Sequence, residues 1–334
     1  MKTKNMPLVL PAVLLVTALI AGCATPAAES TAVPTTQPQV TVSARPYIPM
    51  IAKASSQTPF WRIVRSGAEK AAKEFNVDTT FEGPDIDVQV DKQIAMLQAA
   101  LAKKPAAICL AASDSQAEIP LLQKASDAQI PVIGFDSGVD SDIPVATATT
   151  NNIAAAAAAA DHLAQLIGNT GEVAIIGFDQ PSRSGFDRVK GFTDEMTAKY
   201  PKITIVSTDY GAGDVLKSSN LVKAVIRDHP KLKGYFGANQ GSVEGLLDAV
   251  KDMKKEGQIV VVGFDSGSDQ IAAIRNGVEA GAITQDPIDI GYRCIEAAVK
   301  AIQGQTLPKT IDTAWHWYDK TNLDDPSLAP LLYR

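Results

Sequence analysis

Three histidines and three cysteines are all that these 334 residues contain. Neither set is arranged for chemistry. His162, His229 and His316 stand far apart, with no His-Glu-x-x-His, no Cys-x-x-Cys and no nucleophile–base spacing. No Walker A loop and no G-x-G-x-x-G follows a strand, so no phosphate cradle is expected. These absences speak against an enzyme and against a bound metal or cofactor. An aspartate pair of the glycosidase kind is the remaining catalytic option, and no motif supports it. Basic charge is short as well. Lys and Arg number 31 against 37 Asp and Glu, a net charge of −6, which is a poor balance for nucleic acid or an anionic surface.

A long apolar run is missing too. Pro7 to Ala21 is uncharged and mostly apolar but short for a transmembrane span, and it follows Lys2 and Lys4 as a secretory signal should. It ends in Ile20-Ala21-Gly22-Cys23, which looks like a bacterial lipobox cleaved before an acylated Cys23. Residues 1–22 are therefore read as a lipoprotein signal peptide. Cleavage would remove Lys2 and Lys4 and no acid, taking the net charge from −6 to −8. Residues 23–45, rich in Thr, Pro and Ala, read as a flexible tether. The expected location is the outer face of the cytoplasmic membrane or the periplasm, with the membrane touched only through the lipid. Cys109, in Ala106-Ala107-Ile108-Cys109-Leu110, and Cys294, in a helical stretch, read as small core residues, although an oxidising compartment leaves a Cys109–Cys294 disulfide open.

From Tyr47 strands alternate with helices, and the length suffices for about two domains of ~150 residues. Ile48 to Ala54 reads as a strand. Phe60, Ile63, Val64, Gly67, Ala68, Ala71, Ala72 and Phe75 then recur at helical spacing, with Thr58 and Pro59 at the N-cap and first helical position. Helices at 94–101 and 117–128 then alternate with strands at 106–111 and 131–135. The second half repeats the series, with strands at 172–177, 203–207, 232–236 and 258–264 and helices at 186–199, 215–228 and 243–254. This is the pattern of parallel, doubly wound α/β sheets.

The repeat reaches the letters. Val132-Ile133-Gly134-Phe135-Asp136-Ser137-Gly138 matches Val261-Val262-Gly263-Phe264-Asp265-Ser266-Gly267, and Ile176-Gly177-Phe178-Asp179 is a partial third copy. In each, an apolar strand ends and an Asp appears at its carboxyl end, the edge where open α/β sheets bind ligands. A single Asp-Ser-Gly reads as a turn or helix cap; two near-identical copies favour shared ligand contact.

Further markers follow in order: Thr58-Pro59-Phe60-Trp61, Arg188-Val189-Lys190-Gly191-Phe192, Gly237-Ala238-Asn239 and Gly281-Ala282-Ile283-Thr284-Gln285. With them the sequence resembles the type I periplasmic-binding-protein family, in its ribose-like sugar-binding branch of ABC importers, over nearly all of residues 46–312. The resemblance implies two Rossmann-like lobes joined by a three-crossing hinge, with the ligand clamped in the cleft between them. One lobe would be 46–150 plus 285–312, the other 151–284 plus 313–334. It also implies a monomer that delivers a sugar to a membrane permease.

The ligand-binding residues it implies are Thr58, Phe60, Trp61, Asp136, Ser137, Arg188, Asn239, Asp265 and Gln285. Their chemistry suits a polyol. Carboxylates accept from adjacent hydroxyls, Arg188 offers a planar fork of donors, and Asn239 and Gln285 both donate and accept. Phe60 and Trp61 would cover a C–H face; Phe60 lies on the apolar stripe and reads equally as core, whereas Trp61 falls off it. Asn239 reads equally as a cap of the following helix, Arg188 as a partner of Asp187, Gln285 as a hinge residue, and Thr58 as a cap first. The chain departs from the ribose pattern at Ala111-Ala112, where an Asn is usual, and at Ser137, where an Arg is usual. Tyr210 is the candidate for a second stacking plate. Other solutes therefore stay open: a nucleoside, an autoinducer or a polyol reported to a membrane sensor. A nucleoside would call for more aromatic plates.

Overall fold

The computed structural model describes residues 45–333. The signal peptide, Cys23 and nearly all of the tether lie outside them. The first lobe opens with β1 (Tyr47–Ile51), α1 (Pro59–Glu74), β2 (Asp78–Glu82), α2 (Val90–Ala102), β3 (Ile108–Leu110), α3 (Ile119–Asp127), β4 (Val132–Phe135) and β5 (Ala146–Thr150). The second holds α4 (Asn152–Leu166), β6 (Gly171–Gly177), α5 (Arg183–Lys199), β7 (Ile203–Tyr210), α6 (Val215–Asp228), β8 (Leu232–Gly237), α7 (Gln240–Asp252), β9 (Val260–Phe264), α8 (Ser268–Asn276) and β10 (Glu279–Gln285). The chain then returns with α9 (Pro287–Ile302) and β11 (Thr310–Thr313), and crosses once more to β12 (Trp315–Asp319).

Two six-stranded sheets result, ordered β11-β5-β4-β3-β1-β2 and β12-β10-β9-β8-β6-β7. All pairings are parallel except β10 with β12. The α/β expectation holds for both lobes. Central strands are buried on both faces, as parallel sheets require: every residue of β3 and β4 is buried.

Helices α1 and α9 pack with one face of the first sheet around Ile48, Met50, Ile133 and Ile290. Helix α1 starts at Pro59 as the sequence suggests and buries Val64, Gly67, Ala68, Ala71 and Ala72 of the stripe, but Trp61, expected to fall off it, is buried with them, whereas Phe60, Ile63 and Phe75 are half-buried. Thr58 holds the N-cap position, yet its side chain makes no cap bond and its hydroxyl turns back to Ser55 O at 3.4 Å. Cys109 and Cys294 are both buried and free, with the Cys109 thiol 3.7 Å from the Cys294 carbonyl.

Glycine sets the approach of α1 to α9. A Cβ on Gly291 would lie 1.9 Å from the Val64 carbonyl oxygen, and one on Gly67 would lie 2.0 Å from that of Ile288. In an open helix Gly→Ala gains stability, by ~0.5–1 kcal/mol. Here the obstacle is backbone and cannot rotate away, so the sign reverses. Gly291→Ala is expected to cost about 1–3 kcal/mol as the helices are forced apart, read as a lowered Tm; an unchanged or raised Tm would contradict this packing.

Candidate ligand-binding site

A cavity of about 330 Å³ lies between the lobes, lined from the carboxyl ends of β1, β4, β6, β8, β9 and β10. That is the edge where parallel α/β sheets expose their loops to ligands. The two aspartates of the repeat face it in matching fashion. Asp136 has φ of 57° and Asp265 of 76°, left-handed values that Asp tolerates better than most residues. Each backbone N–H is held by the neighbouring strand, from Asp136 to Ala148 O at 2.9 Å and from Asp265 to Ile283 O at 2.7 Å. The following Ser-Gly does other work. Ser266 bonds Thr284 at 2.9 Å, and Gly267 occupies the N-cap of α8.

On the first lobe, Lys53 follows β1 and is almost fully buried. Its Nζ lies 3.7 Å from Asp136 Oδ2, donates to Ser184 Oγ of the other lobe at 3.0 Å, and stands 4.9 Å from the centre of the Phe178 ring. Asp136 is 4% exposed, and its Oδ2 has no hydrogen-bond partner. Burial pushes its carboxyl above the usual range; Lys53 and then Arg188 oppose this. Asp87, which accepts from Trp61 Nε1 at 3.0 Å, is also raised by burial against the pull of Lys53.

The second lobe supplies a more fully bonded wall. Asp265 Oδ1 accepts from Gln285 Nε2 at 2.7 Å, and Oδ2 accepts from the Gln240 N–H at 3.0 Å with Arg188 Nη1 at 3.6 Å. Arg188 donates to Asn152 Oδ1 at 2.8 Å and to Ala238 O at 3.0 Å, and its guanidinium carbon lies 3.8 Å from the Phe264 ring centre. Its fork is therefore fixed before any ligand arrives. Gln285 ties two crossings together, because its Oε1 accepts from Thr150 Oγ1 at 2.9 Å.

Of the residues the sequence nominated, Thr58, Phe60, Trp61, Asp136, Arg188, Asn239, Asp265 and Gln285 all line the cavity. Ser137 does not: its hydroxyl accepts the Ser184 N–H at 3.3 Å, behind Asp136. Asn239 has both of its expected roles, lining the cavity while capping α7 through the Ser242 N–H at 3.0 Å. Arg188 bonds away from Asp187, which pairs instead with Arg183 at 3.0 Å. Tyr210 is not at the cavity. It packs against Gly177, and the second-lobe aromatic that lines the cavity is Phe178, from the third Gly-Phe-Asp copy.

Lys53, Asp87, Phe178, Gln240 and Glu244 were not anticipated. Lys53 left a trace, a lysine directly after a buried apolar run, and Phe178 lay in a repeat already noticed. Asp87 sits in a loop with no pattern. Among the described residues, no group of three or more His, Cys, Asp or Glu could hold a metal ion, and no helix is long and apolar enough to cross a membrane.

The sequence pattern of the periplasmic binding protein domain matches residues 48–306. The chain belongs to this family. It is a type I periplasmic binding protein of the ribose-like sugar-binding branch, and not an enzyme. An ABC transporter solute-binding protein from Agrobacterium vitis, bound with α-D-tagatopyranose, is 31% identical with a TM-score of 0.83, covering 87% of this chain and 100% of that one. A carbohydrate transporter solute-binding protein from Agrobacterium radiobacter, in complex with D-arabinose, is 32% identical with a TM-score of 0.82, covering 86% and 99%. The D-ribose/D-allose-binding protein of Pseudomonas aeruginosa is 26% identical over 270 residues, 78% of this chain and 84% of that protein.

Proposed function

We propose that this periplasmic binding protein is the lipid-anchored substrate-binding component of an ABC-type importer, and that it takes a monosaccharide or related polyhydroxylated solute by closing its lobes. The observation that carries the reading is the pair Asp136 and Lys53. A carboxylate oxygen buried without a partner costs about 1–3 kcal/mol or more, and here it faces a cavity with an ammonium 3.7 Å away. A hydroxyl donates to the first and accepts from the second, so one sugar hydroxyl answers both. Asp265, Arg188, Asn239 and Gln285 offer the same mixed polarity on the other lobe, and Phe60, Trp61 and Phe178 offer faces for C–H groups. The relatives' sugars agree with this chemistry.

The remainder rests on the leader and the fold analogy. The signal and Cys23 support export and acylation. Ligand contacts from both lobes favour the closed form, with the three crossings as hinge, and the closed form would dock on the permease as a monomer. The test is a thermal-shift screen of residues 46–334 with pentoses, hexoses, polyols and nucleosides. A ligand at a hundredfold excess over its Kd stabilises by ~2.7 kcal/mol. Monosaccharides should raise Tm, and a shift with nucleosides alone would defeat the reading.

A further inference from the structure

Of the three Gly-Phe-Asp copies, two end in an aspartate that lines the cavity and the third does not. Asp179 turns instead into its own loop, where Oδ1 accepts from the Ser182 N–H at 3.3 Å and from the Ser182 hydroxyl at 2.5 Å. Ser182 in turn caps α5 through the Gly185 N–H at 3.2 Å. A Cβ on Gly185 would lie 2.4 Å from Asp179 Oδ1, so the loop and the first turn of α5 are packed as one piece. Ser184 stands in that turn, buried at the edge of the cavity.

This piece is seated on the first lobe. Pro181 O accepts the Ser115 N–H at 2.9 Å, Arg183 pairs with Asp140 at 3.2 Å, and the Ser184 N–H donates to Ser137 Oγ at 3.3 Å. Ser137, nominated as a ligand contact from the sequence, thus serves the contact between lobes. The Ser184 hydroxyl reaches further and accepts from Lys53 Nζ at 3.0 Å. Lys53 and Asp136 belong to one lobe, and an ammonium and a carboxylate left to themselves close to about 2.7–2.9 Å. Here they stand 3.7 Å apart, and Asp136 Oδ2 has no hydrogen-bond partner.

We infer that Ser184 is a positioning residue that acts across the cleft: with the lobes together, its hydroxyl holds the Lys53 ammonium off Asp136, so that both groups face the cavity ready for one hydroxyl of the solute. With the lobes apart, Ser184 leaves with the second lobe. Lys53 then falls back on Asp136 and satisfies the carboxylate that the solute would otherwise satisfy. Closure therefore arms the first-lobe half of the site. The inference rests on the lobe-closing reading above and adds to it a residue that acts through another.

Ser184→Ala removes the hydroxyl alone, since the bond to Ser137 uses the backbone N–H and the contacts of Pro181 and Arg183 are untouched. Calorimetric titration of residues 46–334 with whichever solute of the screen binds the parent should show Kd weakened about ten- to a hundredfold, the size of one hydrogen bond to a charged group. The Tm of the ligand-free protein should not move, because the bond is absent when the lobes are apart. Ser184→Thr, which keeps the hydroxyl, should restore most of the affinity. In a Lys53→Met background there is no ammonium to position, and Ser184→Ala should cost nothing further. A parent-like Kd in Ser184→Ala overturns the inference. So does an equal loss in the Lys53→Met background, which would make Ser184 a ligand contact in its own right. If nucleosides alone bind the parent, the sugar reading fails, while the Ser184 comparison is made on that ligand and still decides. Failure of every solute to bind the parent overturns both.

Discussion

Asp265→Asn should abolish detectable sugar binding while leaving the protein folded. The carboxylate joins three parts of the second-lobe wall. It accepts from Gln285 on a crossing strand and from the Gln240 N–H at the start of α7, and it lies 3.6 Å from Arg188. With Asn, one oxygen becomes an NH2 that faces donors in place of an acceptor. The negative charge beside a buried guanidinium is lost as well. Truncating one member of a buried, hydrogen-bonded charge pair in an interface typically costs 2–5 kcal/mol or more, about thirtyfold to several-thousandfold in Kd. Asn is the replacement to use because Asp265 sits at φ of 76°, where Asn is tolerated and Ala is strained. Arg188 keeps its bonds to Asn152 and Ala238, so the second lobe is not left with an unbonded cation. The check is a thermal-shift titration with whichever monosaccharide binds the parent. A parent-like shift in the variant would remove Asp265 from the site.

What could be read from the sequence divides along physical lines. The strands β3, β4, β8 and β9 were legible because they are buried on both faces and spell apolar runs. The strand β2, Asp-Thr-Thr-Phe-Glu, was not: it is an edge strand with every residue half-buried, and it has no period to read. β11 and β12 are edge strands too and pair across long stretches of chain, while β5 alternates buried and half-buried residues but spells Ala-Thr-Ala-Thr-Thr, with no large apolar side chain to mark the alternation. Asp136 and Asp265 were legible because their motif is duplicated. Asp87 and Glu244 reach the cavity only through tertiary approach of a loop and a helix start. The stripe on α1 assigned Phe60 equally to core and ligand and favoured Trp61 as ligand contact. Both line the cavity, but Trp61 is the more buried, against Phe81 and Phe135, because this helix has one packed flank toward the sheet and another toward the cleft.

Glu118 should make this protein less stable as pH rises from about 5 to 8, and Glu118→Gln should remove that loss. The side chain is fully buried, and neither carboxylate oxygen has a hydrogen-bond partner. Burial pushes its pKa to about 7; the backbone amides of Glu118, Asp114 and Ser113 oppose this from outside hydrogen-bond geometry, and the Asp114 carboxylate adds to it. In the unfolded chain the group titrates near 4.5. Between those values the folded state holds a proton that the unfolded state has released, so raising the pH favours unfolding until the folded group also ionises near 7. At 1.36 kcal/mol for each pH unit between the two pKa values, the loss is about 3 kcal/mol. Gln has the same shape and no charge to bury. The Tm of Glu118→Gln should therefore match the parent at pH 5 and exceed it by roughly 5 °C at pH 8, at ~2 °C per kcal/mol for a chain of this size. The segment that precedes Glu118 also touches the other lobe. Glu118 closes the segment whose Ser115 N–H donates to Pro181 O of the other lobe at 2.9 Å and whose Ser115 hydroxyl bonds Asp140 at 2.8 Å. Arg183 of the second lobe pairs with the same Asp140 at 3.2 Å. A Tm difference that stays constant from pH 5 to 8 would show that Glu118 is held neutral, or ionised, throughout.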